Sequence, residues 1–324
     1  LGVRDPRRAQ PRRRTRPLGR RASDHGRHPA HLRQEHVDES ALSENARYRL
    51  LNDQVFAARG EDLRLDIDGV DRLRTYADTI TPEAACTSTQ FHLQVSPQEF
   101  PRYWNAAQAI AGVQVALAAN SPFLFGRELW HETRVPLFEQ ATDTRPQEIK
   151  EQGVRPRVWF GERWINSVFD LFEENLRYFP ALLPLLDEQD PARTLEEGGI
   201  PELGELTLHN GTIYRWNRPV YAVSEDTPHV RVENRCLPAG PTVADTLANG
   251  AFYYGLTRAW WTRNGRCGRG CPSRPPRTIC TRPPGTASRA SCTGRAWARC
   301  RCPSWSCGAS SRWPTGAWSC PGWT

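Results

Sequence analysis

Residues 87–95 read T-S-T-Q-F-H-L-Q-V, and their strict alternation predicts a β-strand with two chemically opposite faces. The polar face carries Ser88, Gln90, His92 and Gln94. The apolar face carries Thr89, Phe91, Leu93 and Val95. Two interpretations follow from this pattern: an ordinary surface strand of an antiparallel sheet, or one wall of a site for a polar substrate.

Two later runs, residues 211–223 and 229–237, predict strands joined by a polar turn at residues 224–228. The second run, H-V-R-V-E-N-R-C-L, repeats the polar row on one face with His229, Arg231, Glu233 and Arg235. Matched polar rows favour an antiparallel sheet that packs on helices with one face and forms a cavity with the other. The alternative is a solvated face, where Arg and Glu pair across strands with little effect on stability.

Three helices are predicted around these strands. S-P-Q-E at residues 96–99 has the form of a capping box and predicts a helix that runs to about Ala119. A second helix is predicted from about Asn166 to Tyr178 and a third from near Pro241. The expected fold class is therefore α+β, with an antiparallel sheet that forms an open active-site cleft and helices on its other face.

Composition divides the 324 residues into three parts. Residues 1–31 are rich in Arg and Pro and lack the apolar side chains of a core, so we expect them to be disordered. Residues 32–261 alternate apolar, acidic and basic residues as a folded domain does. Residues 262–324 are crowded with Cys, Arg, Pro and Trp, and we expect this tail to be disordered as well. The net charge of +7 belongs largely to the two ends.

Eight of the ten cysteines lie in the tail, between Cys267 and Cys320. A zinc module is disfavoured because the tail has no His and no C-x-x-C pair. Disulfides conflict with the cytoplasmic location that we expect, since no signal peptide and no membrane-spanning apolar run is found in the sequence. A third hypothesis is that both ends are translated out of frame, and the coding DNA near His28 and Trp261 would test it.

Four stretches of the middle part together resemble one enzyme family. They are T-S-T-Q-F-H-L-Q-V at 87–95, N-S-P-F-L-F-G-R at 120–127 followed by Arg134, T-I-Y-R-W-N-R-P at 212–219, and H-V-R-V-E-N-R-C-L-P at 229–238. In this order they resemble the motifs of the second family of glutamate–cysteine ligases, which are ATP-dependent carboxylate–amine ligases related in fold to glutamine synthetase. The resemblance covers about residues 32–261.

The resemblance implies that ATP phosphorylates the γ-carboxylate of glutamate and that an amine, cysteine in this family, then attacks the acyl phosphate. Such a site needs Mg²⁺ and several cationic groups. Arg218 and Arg235 are the predicted catalytic residues, because guanidinium groups bind carboxylate or phosphate through two hydrogen bonds. Glu233 is the predicted Mg²⁺ ligand. The predicted substrate-binding residues are Gln90, His92, Gln94, Arg127 and Arg134.

Structural alternatives stand beside these roles. Arg127 has neighbouring acids, Glu128 and Glu132, with which a surface arginine pairs, and His92 has the alternative of a hydrogen-bonded structural histidine. Cys86 and Cys236 fit small buried residues better than nucleophiles, because neither has a paired His motif.

The sequence also departs from the family. The family opens with a strand of the G-x-E-x-E type, and here the chain starts L-G-V-R-D-P-R-R. With both this strand and the C-terminal part replaced, we expect the chain as written to be truncated, inactive or poorly folded.

The expected partners are small molecules, namely glutamate, an amine and ATP. The alternative function is nucleic-acid binding by the Arg-rich arm at residues 4–27, which predicts salt-dependent affinity; it is disfavoured because the arm lacks interleaved aromatic residues.

Overall fold

A computed structural model describes residues 32–38, 45–183, 185–186 and 188–264, with backbone only for 261–264. The Arg-rich segment and nearly all of the Cys-rich tail lie outside these residues. The predictions of disorder, of translation out of frame and of a nucleic-acid-binding arm therefore concern parts of the chain that the structure does not describe.

The described residues form an α+β fold, which confirms the predicted class. The helices are α1 (Ala46–Arg59), α2 (Thr81–Ala84), α3 (Phe100–Ala118), α4 (Arg134–Ala141), α5 (Gln147–Glu151), α6 (Phe169–Tyr178), α7 (Pro191–Glu196), α8 (Gly204–Gly211) and α9 (Val243–Asn264). The strands are β1 (Leu63–Asp68), β2 (Arg72–Ala77), β3 (Phe91–Val95), β4 (Phe123–Leu124), β5 (Arg127–Glu128), β6 (Val158–Trp159), β7 (Tyr214–Arg215), β8 (Asn217–Ser224) and β9 (Thr227–Asn234). A short 3₁₀ helix spans Gln34–His36.

The centre of the fold is an antiparallel sheet of three strands in the order β3, β9, β8. The strand predicted at residues 87–95 forms β3 over its second half, with Phe91, Leu93 and Val95 half-buried and His92 and Gln94 exposed. The alternation read from the sequence is therefore confirmed, and it divides the sheet into an apolar and a polar face.

The apolar face packs on α3 and α9. Val230 and Val232 lie in one core cluster with Phe100, Trp104 and Tyr253. The packing is close. A Cβ atom on Gly250 of α9 would lie 2.6 Å from the ring of Phe91, so a larger residue there would force the helix away from the sheet.

A chain of buried amides also joins α3 to the sheet. Asn217 and Asn234 stand opposite each other on β8 and β9, and Asn234 Nδ2 donates to Asn217 Oδ1 at 2.8 Å. From α3, Gln108 Oε1 accepts from Asn217 Nδ2 at 2.7 Å, and Gln114 exchanges hydrogen bonds with Asn234. Since buried amides are costly when unpaired, this chain fixes the position of the helix on the strands.

The prediction of a single strand over residues 211–223 is wrong at its N-terminal end. Gly211 ends α8, and β7 pairs with β6 in parallel before β8 begins at Asn217. The turn predicted at residues 224–228 is also tighter than expected. Ser224 pairs with Thr227, and both central residues, Glu225 and Asp226, have positive φ angles of 48° and 56°, as two-residue hairpin turns require.

A second hairpin, β1–β2, lies apart from this sheet and was not among the predicted strands. Leu65, Ile67 and Leu73 pack with Leu129 and with Leu137 of α4 in a separate core cluster. The short β4–β5 hairpin, which carries Arg127, supplies Leu124 to the same cluster.

Candidate active site

The polar face of the three-stranded sheet brings predicted site residues from three strands into one row. His92 on β3 stands opposite Glu233 on β9, and Glu233 stands opposite Arg218 on β8. Residues paired in this way on one face have Cβ atoms about 5 Å apart. The sequence placed His92 and Glu233 on polar faces, and the register of the strands puts Arg218 beside Glu233.

Glu233 is the centre of this row and is held by two guanidinium groups. Arg218 Nε donates to Glu233 Oε2 at 2.8 Å, and Arg235 Nη1 donates to Glu233 Oε1 at 3.2 Å. The carboxylate is buried, with 1% of its side chain exposed, whereas Arg218 keeps 20% and Arg235 12%. Burial alone would raise the pKa of Glu233, but the two arginines outweigh it and hold the pKa below its usual value.

Arg235 lies just past the end of β9, between the sheet and two aromatic rings. Its guanidinium carbon is 5.8 Å from the ring centre of Phe138 and 5.9 Å from that of Tyr214. Burial lowers the pKa of Arg235, as does the nearby charge of Arg218, while Glu233 opposes the change. The half-buried carboxyl of Glu83, on α2, interacts with the Arg235 charge as well; burial raises the pKa of Glu83 to about 7, and Arg235 acts in the opposite direction.

His92 is exposed at the end of the row. Partial burial lowers its pKa, the charges of Arg231, Arg218 and Arg235 lower it further, and Glu233 opposes them. The imidazole is therefore neutral at pH 7. The hydroxyl of Tyr254 on α9 donates to the backbone carbonyl of His92 at 3.0 Å, which ties this part of β3 to the helix.

The two predicted glutamines occupy exposed positions on the same face. Gln94 stands opposite Arg231 in the register, and Gln90 lies just before β3 begins. Arg231 was placed on the polar face by the alternation but was not given a role. Its Nε atom is buried and has no hydrogen-bond partner among the described residues.

The structure does not bring Arg127 and Arg134 into the row. Arg127 is exposed on β5, in the separate small hairpin. Arg134 is 3% exposed, and its guanidinium donates to Glu132 at 3.0 Å and to the carbonyls of Arg235 at 3.2 Å and Cys236 at 2.6 Å. Arg134 therefore supports the backbone next to Arg235. A substrate role for either residue stays a prediction.

The predicted Mg²⁺ ligand, Glu233, has neighbours on both of its carboxylate oxygens. Both oxygens of Glu233 are bonded to guanidinium groups, which leaves the carboxylate occupied as a counter-ion. Within the described ranges, no group of three or more His, Cys, Asp or Glu side chains is arranged to hold a metal. In this arrangement Glu233 holds two cations close together, and its role as a Mg²⁺ ligand stays a prediction.

Two cysteines, Cys86 and Cys236, lie within the described part of the chain, and neither is in a disulfide. Burial raises the pKa of both thiols, that of Cys236 to about 12, so both are protonated at neutral pH. This agrees with the structural role expected for them.

Comparisons with known proteins give one match. Residues 5–160 match the model of Glutamate-cysteine ligase family 2, which confirms the predicted resemblance over this range. The range includes β3, α3, Arg127 and Arg134, and it ends before β8 and β9, which carry Arg218, Glu233 and Arg235. No significant match was found among curated proteins or solved structures. None of the described helices is long and apolar enough to cross a membrane.

Proposed function

We propose that the chain is a glutamate–cysteine ligase family 2 enzyme that joins the γ-carboxylate of glutamate to an amine, with cysteine as the expected acceptor. One observation carries the proposal beyond the family match. Arg218, Arg231 and Glu233 lie on one face of the sheet, and Arg235, just past β9, is bonded to Glu233; with His92 neutral, this group has a net charge of about +2. Such a face attracts anionic substrates.

In the proposed reaction, a γ-carboxylate oxygen of glutamate attacks the terminal phosphorus of ATP, and the bond to ADP breaks. The amine then attacks the carbonyl carbon of the acyl phosphate, and inorganic phosphate leaves as the amide forms and the amine nitrogen loses a proton. Both steps gather negative charge on oxygens. Fixed cations are worth more there than mobile ones, because they need no reorganisation during the reaction.

Arg218 and Arg235 are suited to this task by their shared counter-ion. Glu233 holds both guanidinium groups in place through one nitrogen of each and partly offsets their mutual repulsion. The remaining nitrogens of Arg218 have no partner among the described residues and are donors for a carboxylate or a phosphoryl group. His92 and Gln94, exposed in the same row, would orient the substrate. ATP and Mg²⁺ are the cofactors that the family implies.

The test measures ADP release from ATP by the full chain with glutamate and a panel of amines that includes cysteine. A second version of the chain, with the alternative reading frames restored at both ends, is assayed in parallel. We expect ADP release that requires both amino acids. Arg218→Gln and Arg235→Gln should each lower kcat/KM about 100-fold, which corresponds to about 2.7 kcal/mol of transition-state stabilisation.

Arg193→Gln is the matched control, because Arg193 is 75% exposed on α7 and, among the described residues, its guanidinium pairs with Glu197 one turn away. It removes the same charge and should leave kcat/KM within about twofold of the unchanged chain. Absence of ADP release with every amino-acid pair, in versions that unfold cooperatively, would refute the ligase proposal.

A further inference from the structure

A small cavity lies beside β8, the edge strand of the sheet. Its walls come from four elements, namely α1, α6, α8 and β8. Its volume is about 160 Å³. Sites for whole small-molecule ligands usually enclose about 300–1,000 Å³, so this cavity has room for one end of such a molecule.

Two arginines line the cavity. Arg218 enters from β8, with its Nε committed to Glu233 and its terminal nitrogens unpaired among the described residues. Arg47 enters from α1, and no described residue accepts a hydrogen bond from its guanidinium. Gly211, at the end of α8, makes room for Arg47, because a Cβ atom at this position would lie 2.7 Å from Arg47 Nη2. Two unpaired guanidinium groups around one small space favour an anion.

The rest of the lining is polar on one side and apolar on the other. Thr207 and Asn210 of α8 supply a hydroxyl and an amide, while Phe172 and Val220 supply apolar surface. Asn210 is fixed before any ligand arrives, since its Nδ2 donates to the carbonyl of Pro219 at 2.8 Å and its Oδ1 accepts from Asn175 at 3.1 Å. A wall held in this way loses little conformational entropy on binding.

We propose that this cavity binds the carboxylate of a short organic acid, with Arg47 and Arg218 gripping the oxygens and Phe172 and Val220 contacting the carbon chain. The apolar wall favours a carboxylate on a carbon chain over inorganic phosphate, which is hydrated on all sides. Arg218 belongs both to the cavity and to the row with Glu233 and His92, so the remainder of the bound molecule would lie along the polar face of the sheet. The inference concerns binding alone and does not depend on the ligase reaction.

Isothermal titration calorimetry on the full chain tests the proposal with two probes, glutarate and inorganic phosphate, at equal ionic strength. We expect glutarate to bind one molecule per chain and phosphate to bind at least tenfold more weakly. Arg47→Gln should weaken glutarate binding about tenfold, and Thr207→Val should weaken it about threefold, because a hydroxyl donor in the lining of the cavity is lost.

The matched control is Arg49→Gln, which removes the same charge from another exposed position of α1, two residues further along and outside the lining of the cavity. It should change glutarate affinity less than twofold. Equal losses in Arg47→Gln and Arg49→Gln would overturn the proposal, as would phosphate binding as tight as that of glutarate or no glutarate binding by a chain that unfolds cooperatively. Absence of ADP release would refute the ligase reaction and leave this binding result unaffected.

Discussion

Two arginine–glutamate clusters lie on consecutive strands of the chain, β7 and β8, and solvent access distinguishes them. Arg215 on β7 pairs with Glu174 on α6 at 2.9 Å, and their side chains are 0% and 5% exposed. Arg218 on β8 pairs with Glu233 at 2.8 Å and keeps 20% of its side chain exposed. We call the first the closed cluster and the second, with Arg235, the open cluster.

In the closed cluster, the charged groups interact with other groups of the protein. Arg215 also donates to Asn175 Oδ1 at 2.9 Å and to the carbonyl of Leu171 at 3.3 Å, and its guanidinium carbon lies 4.7 Å from the ring centre of Trp159. The open cluster has two cations for one carboxylate and keeps donors directed away from it. The same residue types therefore stabilise the fold where they are buried on all sides and are available for ligands where one side is open to solvent.

The largest expected effect is a difference in unfolding free energy between variants of the two clusters. Arg215→Met leaves the Glu174 carboxylate buried without its cation and should lower the free energy of unfolding by about 3–5 kcal/mol. Arg218→Met should cost about 1–2 kcal/mol, because Arg235 still pairs with Glu233 and Arg218 is partly solvated. Urea denaturation followed by circular dichroism measures both.

The double variant Arg215→Met/Glu174→Leu is the control for this difference. Arg215 Nη1 and Glu174 Oε1 are buried without hydrogen-bond partners among the described residues, so the pair is imperfectly satisfied. Replacing both with apolar side chains should therefore bring stability back to within about 1–2 kcal/mol of the unchanged chain. A double variant as unstable as Arg215→Met would show that the loss comes from packing and not from an unpaired charge.

The second effect concerns the amide chain beneath the open cluster. Asn234→Ala removes the group that links Asn217 to Gln114 and leaves both amides short of a partner, so we expect a loss of about 2–3 kcal/mol. Asn166→Ala, at an exposed position, should cost less than about 0.5 kcal/mol in the same urea experiment. Equal losses would mean that the amide chain does not hold α3 on the sheet.

The open cluster was largely accessible from the sequence, and the reason is local. Alternation in a strand assigns each side chain to a face without any knowledge of distant residues, and this placed His92 and Glu233 correctly. Arg235 lies just past β9 and reaches the same Glu233. The pairing that sets His92 opposite Glu233 and Glu233 opposite Arg218 followed once the strands were known to be neighbours.

The features that sequence missed depend on contacts between distant segments. Arg134 carries the same motif signal whether it faces a ligand or, as here, the carbonyls of residues 235 and 236 about a hundred positions away. The cavity beside β8 needs Arg47 to meet Gly211, and the closed cluster needs α6 to meet β7. The periodicity of apolar residues does not predict such long-range contacts. The split of residues 211–223 into the end of α8, β7 and β8 was missed for a related reason, because the parallel pairing of β7 with β6 is also long-range.

The third effect is a pH dependence that belongs to the open cluster. The pKa of Glu83 is raised from its ordinary value of 4.5 to about 7 by burial, against the opposing charge of Arg235. A raised carboxyl pKa stabilises the folded state below pH 4.5, and this contribution is lost as the pH rises through 7. The full shift corresponds to about 3.4 kcal/mol, and because Glu83 is only partly buried, we expect Glu83→Gln to remove a smaller decline, of about 1 kcal/mol, in unfolding free energy between pH 4.5 and 7.5.

Urea denaturation at a series of pH values measures this decline in each variant. Glu188→Gln, at an exposed glutamate, should keep the slope of the unchanged chain. If the decline in unfolding free energy persists in Glu83→Gln, the pH dependence comes from other carboxyl groups, and the pKa of Glu83 is not raised as expected.

The smallest expected effect tests whether the open cluster acts as one electrostatic unit. After burial, which lowers the pKa of His92 most, the charges of Arg231, Arg218 and Arg235 lower it further and Glu233 raises it. Arg218→Gln removes one of these cations and should raise the His92 pKa toward its usual value, as measured by NMR titration of the ring protons. Arg193→Gln, far out on α7, should not change it. If the His92 pKa is the same in the two variants, His92 and Arg218 lie in one row but are not electrostatically coupled. The positive potential on which the ligase proposal rests would then not be supported. A rise confined to Arg218→Gln would show instead that the row responds as a unit, as a surface that binds anions through several cations must.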